Sequence, residues 1–134
     1  EIEISGAFGF VDAKYDDYFD GSKQHKDERI EDTPRYTGVL GFGYYHDSGF
    51  YGRADGHFRG KTSFYDYGKN QVSSSGGVTL DVKLGYRIGD SDIYGYVKNV
   101  TNEEYIDYFI DAGILSRAGF NAPRTFGLGI SYKL

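Results

Sequence analysis

The most chemically equipped stretch of this sequence is a set of alternate positions, Tyr51, Arg53, Asp55, His57 and Arg59. A spacing of two puts all of them on one face of an extended strand. Two guanidinium groups, a carboxylate, an imidazole and a phenol on one face suit an anion or a flat polar ligand. They equally suit a polar wall, paired with charges on neighbouring strands such as Asp81, Lys83 and Arg87. Ligand contact and charge pairing both remain open at this level. A second group lies in polar stretches: Tyr65, Tyr67, Tyr105, Tyr108 and Phe109, with the acidic run Asp16, Asp17 and Asp20. Aromatic rings with arginine suit flat or anionic ligands, and the same residues also make an ordinary solvated loop.

Catalysis has no comparable support. The sequence shows no nucleophile beside a base and no phosphate-binding glycine loop. His25, His46 and His57 fall on different elements without the spacing of a helical or hairpin metal site. Asp107 and Asp111 lack the glycine-punctuated pattern of a calcium loop. With no Cys, thiolate ligands and disulfides are excluded. Neither catalytic residues, metal nor cofactor is predicted. Asn99-Val100-Thr101 fits a glycosylation sequon, read here as coincidental because of its placement on a strand. A net charge of -5 speaks against nucleic acid as a partner.

The elements that carry these residues are strands. Glycine (20) and tyrosine (14) are abundant, and proline (2) is scarce, which favours sheet over helix in a chain of 134 residues, one domain at most. No run of about 18 apolar residues exists, so no transmembrane helix is predicted. The mean hydropathy of -0.55 does not exclude a membrane barrel, whose strands show lipid an apolar residue only at alternate positions. Strand one covers 2–11, with Ile2, Ile4, Phe8 and Phe10 on one face, and is read as continuing towards Tyr15. Strand two covers 35–45, with Tyr36, Leu40, Phe42 and Tyr44 together. Strand three, 50–60, carries the polar set above. Strand four alternates most cleanly, with Val78, Leu80, Val82, Leu84, Tyr86 and Ile88 opposite Thr79, Asp81, Lys83 and Arg87. Strand five covers 93–100 and its faces are ambiguous. Strand six, 124–134, places Phe126, Leu128, Ile130, Tyr132 and Leu134 on one face.

The connections alternate in length. Those at 12–34, 61–75 and 101–123 are long and polar, with a helical turn conceivable at 102–111. Those at 46–49 and 89–92 are tight turns, Gly49 standing where a positive φ is needed. An up-and-down barrel in an outer membrane produces this alternation, with short turns on one side and long loops on the other. Tyr15, Tyr18, Tyr36, Tyr44, Tyr45, Tyr51, Tyr65, Tyr67, Tyr86, Tyr105 and Tyr132 fall mostly near strand ends, as an interfacial aromatic girdle requires. The fold class predicted is all-β, an antiparallel up-and-down meander of about six strands, a segment or small version of an outer-membrane β-barrel. Membrane barrels need at least eight strands. The chain also starts at Glu1, directly on a strand. It is therefore expected to be the C-terminal part of a larger barrel.

Four stretches resemble the C-terminal end of TonB-dependent outer-membrane receptors. Val97-Lys98-Asn99-Val100-Thr101-Asn102-Glu103-Glu104-Tyr105 is similar to their "xxNLTDxxY" segment. Ala122 to Leu134 resembles their "PRTYGVSLSYRF" terminus. Thr33 to Val39 is similar to "xPxHTxxLG", and Phe8 to Tyr15 to "xGYTDAKY". The likeness covers essentially the whole chain in family order. It departs at Leu134, where the family usually ends in Phe or Trp.

The resemblance implies a parent barrel of about 22 strands enclosing an N-terminal plug. The parent would sit in the bacterial outer membrane and import a scarce ligand (ferric siderophore, haem, cobalamin or similar) with energy delivered through TonB. Partners would be outer-membrane lipid, the remaining strands and plug, TonB through the missing N-terminal part, and the assembly machinery. That machinery would read Phe126, Leu128, Ile130, Tyr132 and Leu134 as its signal. The isolated piece is expected to self-associate or to curl its apolar face inward, since it has two open edges and one oily face. The competing reading is a self-standing soluble β-barrel that binds an apolar ligand in its interior. The two differ in which way the Val78–Leu84 face points.

Overall fold

A register that sets apolar positions opposite one another from strand to strand defines the architecture. The computed structural model describes residues 1–133, so Leu134 lies outside the described residues. In chain order the strands are β1 (Ile2–Phe10), β2 (Tyr18–Phe19), β3 (Gln24–His25), β4 (Tyr36–Tyr45), β5 (Phe50–Arg59) and β6 (Thr62–Tyr65). They continue with β7 (Gln71–Ser74), β8 (Gly77–Ile88), β9 (Ser91–Lys98), β10 (Ile106–Asp111), β11 (Ser116–Phe120) and β12 (Thr125–Tyr132). Six of them form one antiparallel sheet in the order β1-β4-β5-β8-β9-β12, and β1 and β12 are its edges. This is the predicted meander. β1 stops at Phe10, with only an isolated bridge between Lys14 and Arg29 beyond it.

The register can be followed straight across. Ile4 lies opposite Phe42, Phe42 opposite Ala54, Ala54 opposite Val82, Val82 opposite Val97, and Val97 opposite Phe126. One residue along, Glu3, Gly43, Arg53, Lys83, Tyr96 and Gly127 form a parallel row on the other face. Side chains alternate along every strand. Directly opposed residues share a face, so a register that sets apolar positions against one another gives the sheet one largely apolar and one largely polar face. The ambiguous strand is resolved by the same rule: Ile93 and Val97 join the apolar face, Tyr94, Tyr96 and Lys98 the polar one.

The apolar face is bare. Ile4 is 74% exposed and Leu128 90%, and Val78 and Leu84 are also exposed. The sheet does not close around these side chains, so the competing architecture with an apolar interior is not the one adopted. The short turns are as expected. Gly49 has φ 98° and its N–H donates to the carbonyl of His46 at 2.9 Å.

The long connections differ from the expectation of simple loops. Each folds into a two-stranded hairpin: β2–β3, β6–β7 and β10–β11. These strands are too short to show a convincing alternation in sequence, and packing between connections stabilises them. The Phe64 and Phe109 rings meet edge-on at 6.1 Å, and Tyr65 Oη donates to the Arg29 carbonyl at 2.9 Å. Most of the well-buried side chains, Thr62, Ser63, Phe64, Ser74 and His25, lie in this loop layer rather than against the sheet. The helical turn considered at 102–111 is absent. A turn at Asn99–Asn102 leads directly into β10.

An apolar face at mid-strand has an energetic consequence if the sheet is the wall of a membrane barrel, as the sequence implies: Leu128→Arg would then destabilise the barrel by about 2–4 kcal/mol, and Ser131→Arg on the polar face by much less. Urea unfolding of the full-length protein in phospholipid vesicles measures both. Equal costs would mean that the two faces do not differ in environment.

Candidate functional site

The five polar residues predicted to share a face do so on β5, but their pairing follows from a conflict in the register. Arg53 lies directly opposite Lys83, and Asp55 opposite Asp81. Like charges in register repel, so the side chains turn away from β8. Arg53 Nε donates to Asp55 Oδ2 at 2.8 Å, and Nη1 reaches across β4 to Glu3 Oε1 at 2.8 Å. Gly41 clears that path. A Cβ on Gly41 would stand 2.6 Å from Asp55 Oδ1 and 2.9 Å from Arg53 Nη2. His57 Nε2 comes within 3.8 Å of Asp81 Oδ2. Of the expected pairing with Asp81, Lys83 and Arg87, the described residues show the approach of His57 to Asp81, whereas Arg53 pairs within β5 and with β1. These half-exposed pairs are screened by solvent and fix geometry more than stability.

The cations of β8 find aromatic rings instead. Lys83 Nζ stands 3.7 Å from the centroid of Tyr94 and 5.5 Å from that of Tyr51, and Arg87 lies 4.8 Å over Tyr51. Among the described residues neither cation makes an ion pair. Tyr51 is 4% exposed. It stacks on Tyr45 at 6.1 Å, lies over Gly85 and donates its hydroxyl to Asp92 Oδ1 at 2.9 Å. Tyr94 lies over Gly129 in the same way. Long side chains on the polar face thus lean across glycines of the next strand, which is why that face carries so many. A depression of about 400 Å³ opens beside them, lined by Arg53, Asp55, Asp81, Lys83, Tyr94 and Tyr96 among others. Tyrosine rings beside lysine and arginine can bind a carboxylate-bearing or flat ligand.

The predicted loop aromatics do not converge on one site. Tyr105 lies under Arg59 (5.6 Å), which also pairs with Asp107. Tyr67 is exposed, and its N–H donates to Asp111 Oδ2 at 3.1 Å. Serine and backbone donors, first the Ser116 hydroxyl, hold the Asp111 carboxyl below its usual range. Tyr65 belongs to a third group that sequence reasoning missed. Its centre is His25, 3% exposed, surrounded by Tyr15, Tyr18 and Tyr65. Burial pushes the Tyr65 phenol well up, assisted by the nearby Glu28 carboxylate. The girdle reading is corrected accordingly. Tyr36, Tyr44, Tyr86 and Tyr132 are exposed on the apolar face, whereas Tyr45 and Tyr51 have the opposite parity, and Tyr15, Tyr18 and Tyr65 pack on a histidine.

The Asn99–Tyr105 segment is a clasp between strands and loop. Asn99 is 4% exposed and has φ 49°. Its Nδ2 donates to the carbonyls of Glu103 (2.9 Å) and Ala122 (3.0 Å), and its Oδ1 accepts from Glu103 N–H (2.9 Å). Its own N–H donates to Asp81 Oδ1 at 2.9 Å. Asn102 Oδ1 accepts from Arg124 N–H at 3.0 Å, and Asn121 Oδ1 from Tyr105 N–H at 2.8 Å. Three asparagines thereby join the ends of β8 and β9 to the start of β12 and anchor β10–β11.

The family profile described as "TonB dependent receptor-like, beta-barrel" matches residues 1–100. Among solved structures, the ferric yersiniabactin uptake receptor FyuA from Yersinia pestis is 25% identical. It superimposes with a TM-score of 0.68 over 80% of this chain and 18% of its own. The siderophore receptor PiuA from Acinetobacter baumannii is 16% identical, with a TM-score of 0.75 over 98% of this chain and 19% of its own. The chain spans about a fifth of the length of these two receptors.

The clasp yields a quantitative expectation. Asn99→Ala removes the side-chain hydrogen bonds with Glu103 and Ala122, and the longer one from Thr101, and places a Cβ residue without local polar support at positive φ. A loss of about 3 kcal/mol is expected, with Asn99→Gly recovering about 1 kcal/mol of it. Denaturant unfolding of the full-length protein checks this, and equal stability of wild type and both variants would contradict it.

Proposed function

The chain belongs to the TonB-dependent receptor-like β-barrel family, and from that premise we propose that it forms the C-terminal six strands of an outer-membrane receptor barrel that imports a ferric siderophore. The family is one of receptors and transporters, and its setting is the outer membrane. The observation that carries the proposal is the unbroken division of the sheet into an apolar and a polar face across all six strands. A wall between lipid and a polar lumen uses both faces, and nothing within this sheet covers the exposed apolar one. In that wall Tyr51, Arg53, Asp55, His57 and Arg59 look into the lumen towards a plug carried by the rest of the parent. The hairpins bearing Tyr65, Tyr67 and Tyr105 rise around the external mouth. Phe126, Leu128, Ile130, Tyr132 and Leu134 present the alternating signal for barrel assembly, and β12 pairs with a strand outside this chain. The similarity to a ferric yersiniabactin uptake receptor supports a ferric chelate as the class of cargo, and energy would come from TonB through the N-terminal part of the parent.

Uptake of radiolabelled ferric siderophores by cells with and without the full-length gene tests this. Gene-dependent accumulation of at least one ferric siderophore, abolished when TonB is deleted, is expected. Haem or cobalamin uptake without any ferric siderophore uptake would overturn the assignment of cargo, and accumulation unaffected by TonB would overturn the assignment of energy source.

A further inference from the structure

The loop layer contains a buried histidine that the transport reading does not use. His25 Nδ1 lies 2.6 Å from Glu28 Oε2, and Nε2 lies 3.1 Å from Asp20 Oδ2. Hydrogen-bond arithmetic fixes its charge. Ionised carboxylates only accept, whereas a neutral imidazole has one N–H to give. Both contacts are satisfied together only by imidazolium. Asp20 is itself held ionised, because Oδ1 accepts from the N–H groups of Ser22 and Lys23, each at 2.8 Å.

This centre joins two connections. Asp20, His25 and Glu28 belong to the first, between β1 and β4. From the second, between β5 and β8, come the Tyr65 ring, edge-on to His25 at 5.0 Å, and Lys69, whose Nζ lies 3.6 Å from Asp20 Oδ2. Lys23 Nζ crosses in the other direction to the Lys69 carbonyl at 2.9 Å. Every charged or titratable group facing the cavity of about 110 Å³ can be named: Tyr15, Tyr18, Asp20, His25, Glu31, Tyr65 and Lys69 line it, with Lys23 and Glu28 beside it. With His25 protonated, three cations balance three carboxylates. With His25 neutral, the carboxylates are in excess and one ring nitrogen turns a lone pair towards an oxygen.

We propose that His25 is a pH-controlled latch between the first and second external loops, closed when the imidazole carries its proton and released when it is lost. This goes beyond the transport reading and does not depend on the cargo. The titration behaviour agrees in direction. Hydrogen bonds to Glu28 first and then Asp20 raise the His25 pKa above 6.5, against its burial. The Glu28 carboxyl is lowered to about 2, first by His25 and then by Lys23, and the Asp20 carboxyl well below its ordinary range, first by the Lys23 N–H and then by His25. A raised histidine stabilises the closed state fully below 6.5 and loses that contribution as pH rises through the folded value. The lowered carboxylates keep the latch intact on the acid side until they protonate.

The test is the distance between nitroxide labels at Lys26 and Ser73 in the full-length receptor in lipid nanodiscs, by pulsed electron paramagnetic resonance, from pH 5.5 to 9.5. A narrow distribution at low pH that broadens with a midpoint above 6.5 is expected. Glu28→Gln should move that midpoint down by at least one pH unit, and His25→Gln should abolish the pH dependence. A wild-type distribution unchanged over the whole range, or the same midpoint in Glu28→Gln, would overturn the proposal. Far-ultraviolet circular dichroism at each pH separates loop release from loss of the barrel, and a barrel that unfolds together with the loops also counts against it.

Discussion

Strand register is the constraint on which the rest of this structure depends. Across the six-stranded sheet, apolar positions meet apolar positions, glycine or alanine, with Ser91 opposite Ile88 and Tyr132 as the exception at one end, and charged residues stay on the other face. A slip of one residue in any pair would invert one strand and drive Arg53 or Lys83 onto the apolar face. In a bilayer, the charge cost alone is about 2–4 kcal/mol per such residue. The hydrogen-bond ladder does not distinguish the alternatives, but the surroundings of the two faces do. The environment therefore selects the register, and the register then dictates which charges face each other.

From that follows the unusual chemistry of the polar face. Because the register forces Arg53 opposite Lys83 and Asp55 opposite Asp81, simple cross-strand pairing is unavailable. The sheet resolves the conflict by reaching further. Arg53 crosses Gly41 to Glu3 and Ser5, Tyr51 crosses Gly85 to Asp92, and Tyr94 lies across Gly129. Glycine on this face is space for a neighbour's side chain. The result is a wall whose side chains are held sideways against the sheet, with two cations, Lys83 and Arg87, balanced by aromatic faces alone among the described residues. Such cations are weakly committed and available to an anionic partner.

How much of this was legible in the sequence depends on whether a periodic signal existed. The strands from Ile2, Tyr36, Phe50 and Gly77 were readable because ten or so alternating residues outweigh local exceptions. β9 is readable as a strand but its faces are not, because Tyr94 and Tyr96 on one face carry large rings and suit a strand as well as Ile93 and Val97 on the other. The tyrosine girdle was over-read for a related reason: proximity to a strand end does not reveal parity, and Tyr44 and Tyr45 point in opposite directions. The loop layer had no period at all. Tyr15, Asp20, His25, Glu28, Tyr65 and Lys69 come from two connections separated by β4 and β5, so nothing short of the fold brings them together. In sequence His25 offers only its short spacing to Asp20 and Glu28 as a hint of that centre. The Asn99–Tyr105 segment was recognised as a family signature, but its role as a three-asparagine clasp needed coordinates.

The central claim is that the Val78–Leu84 face meets lipid while the Arg53 face lines a polar interior. Nitroxide scanning along residues 78–88 of the full-length protein in a bilayer tests it most directly, using oxygen and a water-soluble nickel chelate as competing relaxants. The account predicts a strict period of two, with Val78, Leu80, Val82 and Leu84 accessible to oxygen and shielded from the chelate, and Thr79, Asp81 and Lys83 shielded from lipid-dissolved oxygen. The reversed phase, or no alternation at all, would contradict it.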